Sequence, residues 1–265
     1  MFKKLALIIM SLGLISSTVF ASPINLPTAI KNQDGLQLEK ALTGESNYMS
    51  LSGGFLNDYV GERKLSKDSG KASFDMIGGI IDLSILNRFD IYTTLGSTLS
   101  PELKGSILGT TDKLNFSDSF MWGVGADAVI YDWKDAGIQF FGDGNYRQST
   151  GLDLDSVTVN GTTYSKSQFT GASASAKWQE WQTALGVSKT FKYVIPYGGI
   201  VYSDVKTSAK ATVSGTTYDL GSVSSKCKVG PFVGVSILPT KWLSIDITGR
   251  FVAEEAVSVA ATVKF

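Results

Sequence analysis

From residue 47 to Phe265, apolar and polar residues alternate in segments of about ten, with turn-rich stretches between them. A period of two puts alternate side chains on opposite faces of a strand. In "WLSIDITGRF" Leu243, Ile245, Ile247, Gly249 and Phe251 share one face, and Trp242, Ser244, Asp246, Thr248 and Arg250 share the other. The last segment, "VSVAATVKF", does the same and stops on an aromatic. Past residue 21 no stretch approaches the roughly 18–20 consecutive apolar residues that a spanning helix needs. The chain is therefore read as all-β. In a soluble sandwich the apolar faces would meet in a core; in a transmembrane barrel they would face lipid and the polar faces a lumen. Alternation alone does not choose between the two.

The length of the connections favours the barrel. The strands read as 47–56, 71–82, 87–98, 119–131, 136–147, 178–190, 194–205, 228–238, 241–251 and 257–265. Long connections (57–70, 99–118, 148–177, 206–227) alternate with short ones ("LSIL", "DWKD", "FKY", "PT"). That is the pattern of an antiparallel transmembrane β-barrel with long outer loops and short periplasmic turns, of about ten strands and at most twelve. Two long connections carry similar octapeptides, "TVNGTTYS" (158–165) and "TVSGTTYD" (212–219). Asn160-Gly161 and Ser214-Gly215 are two-residue hairpin signals. Turn chemistry accounts for the similarity; an exposed hairpin that contacts a partner is the functional alternative.

The N-terminal stretch "MFKKLALIIMSLGLISSTVFA" has Lys3 and Lys4, an apolar run and a small-residue end, which is a secretory signal peptide (1–21) cut before Ser22. Residues 22–45 read as a flexible leader, with a small helix entering the lumen as the alternative, and 46–265 as the barrel. Export and alternation together place the chain in the bacterial outer membrane, with outer-membrane lipid as its solvent. Without Lys3 and Lys4, 22 bases stand against 24 acids, so a nucleic-acid partner is not expected. There is no His, which removes Ser/His and Cys/His nucleophile pairs and imidazole metal sites; no catalytic residue, cofactor or metal ligand is assigned and no enzyme is expected. Cys227 is the single cysteine, read as a buried thiol or an intermolecular one.

Trp122, Trp133, Trp178, Trp181, Trp242, Tyr131, Tyr193, Tyr197 and Phe191 flank the apolar stretches as interface girdles would. A sugar-binding platform is the other use of such rings. Phe265, closing an amphipathic strand, fits the sorting signal of outer-membrane barrels. With apolar faces outward, the inward residues are Asp75, Arg88, Asp90, Asp127, Asp143, Arg147, Glu180, Lys228, Asp246, Arg250 and Lys264, the pore-lining candidates.

Three stretches resemble the chlamydial major outer membrane protein family of porins: "KWQEWQTALGVSKTFKYVIPYGGIVYSDV" (177–205), "FLNDYVGERKLSKDSG" (55–70), and the closing region from "KCKVGPFVG" to "VAATVKF" with Cys227 and a final Phe. The resemblance implies a porin passing ions and small solutes, with a secondary structural role in the envelope; a homo-oligomer, a trimer as in many porins, is a partner the sequence leaves open. This chain is a short version, without the large loops and the many cysteines of that family, so a cross-linked coat is not implied. The expected function is a narrow aqueous channel. The alternatives are a plugged structural or adhesive barrel acting through its outer loops, and a secreted soluble sandwich.

Overall fold

A computed structural model of the chain describes residues 23–31, 49–65, 70–86, 88–107, 110–169, 171–252 and 254–265. The expected signal peptide lies outside them, as does most of the leader. The strands are β1 Met49–Lys64, β2 Lys71–Ile85, β3 Phe89–Ile107, β4 Thr110–Phe116, β5 Ser119–Trp133, β6 Ile138–Val159, β7 Thr162–Ser165, β8 Ala172–Lys189, β9 Val194–Val213, β10 Thr216–Ser224, β11 Val229–Ile237, β12 Leu243–Arg250 and β13 Glu254–Lys264. One helical turn, α1 (Thr28–Lys31), precedes them.

Antiparallel pairing runs β1–β2–β3–β5–β6–β8–β9–β11–β12–β13 and returns from β13 to β1, closing a barrel of ten strands. Closure leaves every strand of this wall with two neighbours, the condition for satisfying backbone groups in hydrocarbon. The remaining three strands lie beyond the wall at its outer end. β4 bridges the far ends of β3 and β6, while β7 and β10 fold back on β6 and β9. Both fold-backs turn on the expected dipeptides, Asn160-Gly161 with φ of 51° and 77° and Ser214-Gly215 with 49° and 83°. Two successive positive φ values match the twist of the flanking strands.

The soluble sandwich is excluded by what faces out. Phe55, Ile81, Leu95, Val124, Leu185, Ile200, Val233 and Val257 are exposed, one or more on most strands of the wall. A soluble monomer does not leave such a belt in water. Trp133, Tyr193 and Trp242 edge it near the short turns, and Trp181 stacks on Tyr202 toward the outer side, centroids 4.9 Å apart. Trp178 and Tyr197 depart from the expected girdle: they are 0% and 5% exposed and point inward, because they fall on the lumen phase of β8 and β9.

Above the belt the alternation changes meaning. In β6, Arg147 and Ser149 face in; the register against β8 then shifts between Ser149 and Leu152, at Gly151 (φ 79°), and Leu152, Leu154 and Val157 take the inner face. β1 shifts likewise between Val60 and Arg63, and β3 between Leu99 and Glu102, at Ser100 (φ 48°). One extra residue on a strand reverses its faces beyond that point. The outer end consequently has an apolar interior of Leu103, Leu114, Phe116, Leu152, Leu154 and Trp178, packed as in a soluble β-protein.

Candidate functional site

The lumen holds two polar groups, one on each side of the barrel's mid-height. Toward the outer end, six ionic side chains form a closed cycle of alternating sign. Arg63 contacts Glu180 (3.0 Å) and Glu254 (3.2 Å); Arg147 contacts Glu180 (3.1 Å) and Asp58 (3.2 Å); Arg250 contacts Asp58 and Glu254, each at 2.6 Å. All six residues are 4% exposed or less. They come from β1, β6, β8, β12 and β13, so the cycle spans the bore instead of lining one wall. Arg63 also donates to Ser203 Oγ and Ser225 Oγ, Arg250 to Ser258 Oγ, and the Arg147 guanidinium lies 5.4 Å from the Trp178 ring centroid. Buried charges persist where each is paired, and here three guanidinium forks meet three carboxylates.

Toward the short-turn end, residues 23–31 occupy the lumen. Ile24, Leu26 and Ile30 are buried against Phe141, Tyr197 and Phe232. The segment's polar groups meet the wall's acids: Asn25 Nδ2 donates to Asp82 Oδ2 (3.1 Å) and Asp127 Oδ2 (2.8 Å), the Thr28 amide to Asp90 Oδ2 (2.5 Å), and Lys31 Nζ to Asp246 Oδ2 (3.0 Å). Burial alone would lower the pKa of Lys31, but Asp246, with Asp82 and Asp127 behind it, holds it above the ordinary lysine value. Asp143 accepts from Tyr92 Oη at 2.6 Å. Two cavities of about 30 Å³ flank the segment, one beneath Arg147 beside Pro23 and Asn25, the other at the mouth among Lys31, Lys241 and Lys264. The leader thus enters the lumen at least over 23–31, with one helical turn; the flexible reading does not hold for this part, whose apolar residues have a matching aromatic floor.

Of the pore-lining candidates, Arg147, Glu180 and Arg250 belong to the ionic cycle and Asp90, Asp127, Asp143 and Asp246 to the lower group, all buried on inner faces. Lys264 faces in at the mouth. Three candidates are placed elsewhere. Asp75 is on the outer face of β2, accepting from Asn57 Nδ2 at 2.9 Å, because Met76 and Phe74 hold the inner phase there. Arg88 is exposed in the turn before β3, where no wall side is defined. Lys228 precedes β11 and reaches Asp204 on the outer face of β9 at 2.8 Å. Cys227, partly buried at the outer end, points its thiol at the Val229 carbonyl (3.5 Å). Phe265 is exposed, with its amide bonded to the Leu51 carbonyl (2.9 Å).

Sequence reasoning missed Asp58, Arg63, Glu254 and Asp82. The first three lie beyond the expected strand ends, and Asp82 is hidden by "MIGGIID", whose isoleucines occupy both phases. The inner phase of β1, carried on past residue 56, would have found Asp58.

No family model matches the chain, and no curated protein matches it. Among solved structures it is similar to the translocator domain of the autotransporter NalP from Neisseria meningitidis, with 12% identity over 86% of this chain and 91% of that one and a TM-score of 0.44. It is also similar to OprG from Pseudomonas aeruginosa (12% identity, 83% and 97% covered, TM-score 0.38) and to Ail, the attachment invasion locus protein of Yersinia pestis (12%, 83% and 100%, TM-score 0.35).

Proposed function

We propose that the chain is an outer-membrane barrel closed to solute flow, acting as a structural or adhesive element through its outer end. The ionic cycle carries this reading: six paired charges span the bore, with an apolar interior above them and residues 23–31 below. A diffusion channel would need wetted charges on facing walls with water between them; here the opposing charges are in contact. The outer strands support the second half of the proposal. β6 and β9, 22 and 20 residues long, are longer than the about 9–11 residues that cross a bilayer, and they end in the exposed hairpins that carry Tyr164 and Tyr218.

Purified wild-type barrel in a planar bilayer is expected to pass no steady current. A stable ohmic current from the wild type overturns the proposal.

The narrow channel has one specific observation in its favour: residues 23–31 are held by side-chain contacts and flanked by cavities, so they are separable from the wall. In that reading the segment is a gate. Deleting 23–31 then yields current, whereas a bore sealed by the ionic cycle stays silent. The resemblance to the chlamydial porin family rests on three stretches, 55–70, 177–205 and 226–265, of which the second forms most of β8, its turn and part of β9, and membership of that family is likewise a proposal.

A further inference from the structure

The two polar groups of the lumen differ in balance. The upper cycle pairs three cations with three anions. The lower one gathers Asp82, Asp90, Asp127, Asp143 and Asp246, and among the described residues Lys31 is the cation in ion-pair contact with it, spent on Asp246. Asp82, Asp90 and Asp127 each offer a carboxylate oxygen, and these three oxygens lie within 4.8 Å of one another. The carboxylates are used in the same way. Each gives its Oδ2 to the 23–31 segment, through Asn25 or the Thr28 amide, and each keeps its Oδ1 buried with no hydrogen-bond partner. The three residues are 3%, 0% and 2% exposed. Three unpartnered carboxyl oxygens in such surroundings call for a proton or a positive ion.

We propose that Asp82, Asp90 and Asp127 form a site for a hard divalent cation of Ca²⁺ size, which locks residues 23–31 into the barrel. The donor set is all oxygen, which suits Ca²⁺ or Mg²⁺ and not a thiolate- or imidazole-seeking metal. Two ligands of one ion stand at most twice the metal–oxygen distance apart, about 5 Å for Ca²⁺ and about 4 Å for Mg²⁺. Carboxylate oxygens within 4.8 Å of one another meet the bound for Ca²⁺. The Oδ2 atoms remain with the segment while the Oδ1 atoms take the ion, so binding tightens the wall around the segment. The sequence-based expectation of no metal site rested on the lack of His; this site is assembled from carboxylates of β2, β3 and β5.

The site does not depend on what the outer end contacts, and its test is separate from conductance. The full mature chain, folded in detergent and stripped with EDTA, is titrated with Ca²⁺ by calorimetry and with Mn²⁺ by electron paramagnetic resonance, folding being checked by heat-modifiable migration. One ion per barrel is expected. Asp90→Asn with Asp127→Asn weakens binding at least about ten-fold, while Asp75→Asn, on the outer face, leaves it unchanged. A second measurement covers the case in which the double variant does not fold. Asp82→Asn should be more heat-resistant than wild type in EDTA, where carboxylate repulsion is relieved, and less so in Ca²⁺, where a ligand is lost. Absence of stoichiometric binding at millimolar Ca²⁺, equal affinity in the double variant, or no reversal of the stability order for Asp82→Asn each overturns the proposal.

Discussion

Arg147 Nη2 on β6 stands 3.2 Å from Asp58 Oδ2 on β1, across the bore and 89 residues away in sequence. Asp58 also takes Arg250 at 2.6 Å, so one carboxylate ties two guanidinium groups. Asp58→Ala leaves both with a single carboxylate partner. Removing one member of a buried pair costs about 3–5 kcal/mol; urea unfolding of the barrel in lipid vesicles should register a loss of that order, and a change below about 0.5 kcal/mol would mean that water already screens the cycle.

Tyr92 lies over Gly125 of the neighbouring strand, where a Cβ would overlap the ring. Tyr197 over Gly234 and Phe141 over Gly186 repeat the arrangement. Gly125→Ala should destabilise the barrel by about 1–3 kcal/mol through overpacking. Adding Tyr92→Leu should restore part of the loss, since the two sites share one space; additive losses in the same unfolding experiment would contradict the packing.

Ile24 is 4% exposed within the lumen, whereas Leu86 is 57% exposed on a turn. In a Cys227→Ser background, Ile24→Cys should react with a charged methanethiosulfonate at least about ten-fold more slowly than Leu86→Cys, because the segment must first leave its seat. Equal rates would place residues 23–31 outside the barrel for much of the time.

Asn160 and Gly161 are exposed at a hairpin tip with positive φ. A short epitope inserted between them should bind antibody on intact cells and change unfolding stability by less than about 0.5 kcal/mol. Antibody access only after permeabilisation would invert the assigned sidedness.

The ten wall strands were legible because period-two alternation is a local property, and each expected segment coincides with an observed strand to within a few residues at the short-turn end. Their outer ends were not. "ASASAK" and "SDVKTSAKATV" alternate small and polar residues, a weak signal that acquires meaning only when β8 and β9 pair. The lower acids Asp90, Asp127, Asp143 and Asp246 could be read from phase alone. Asp75 could not, since "FDMIGGII" supplies apolar residues to both phases and only pairing selects one. The partners within the ionic cycle are up to 192 residues apart, so which acid meets which base follows from closure and register and from nothing local.

The register shift near Gly151 gives the outer third of the barrel an interior of its own. The two hairpins are thereby mounted on stiff pillars and not on slack tethers, with Tyr164 and Tyr218 held out before any encounter. A surface already fixed in shape gives up little disorder when it docks. On the proposed adhesive reading, contacts made there should be governed by fit and should form without a slow rearrangement.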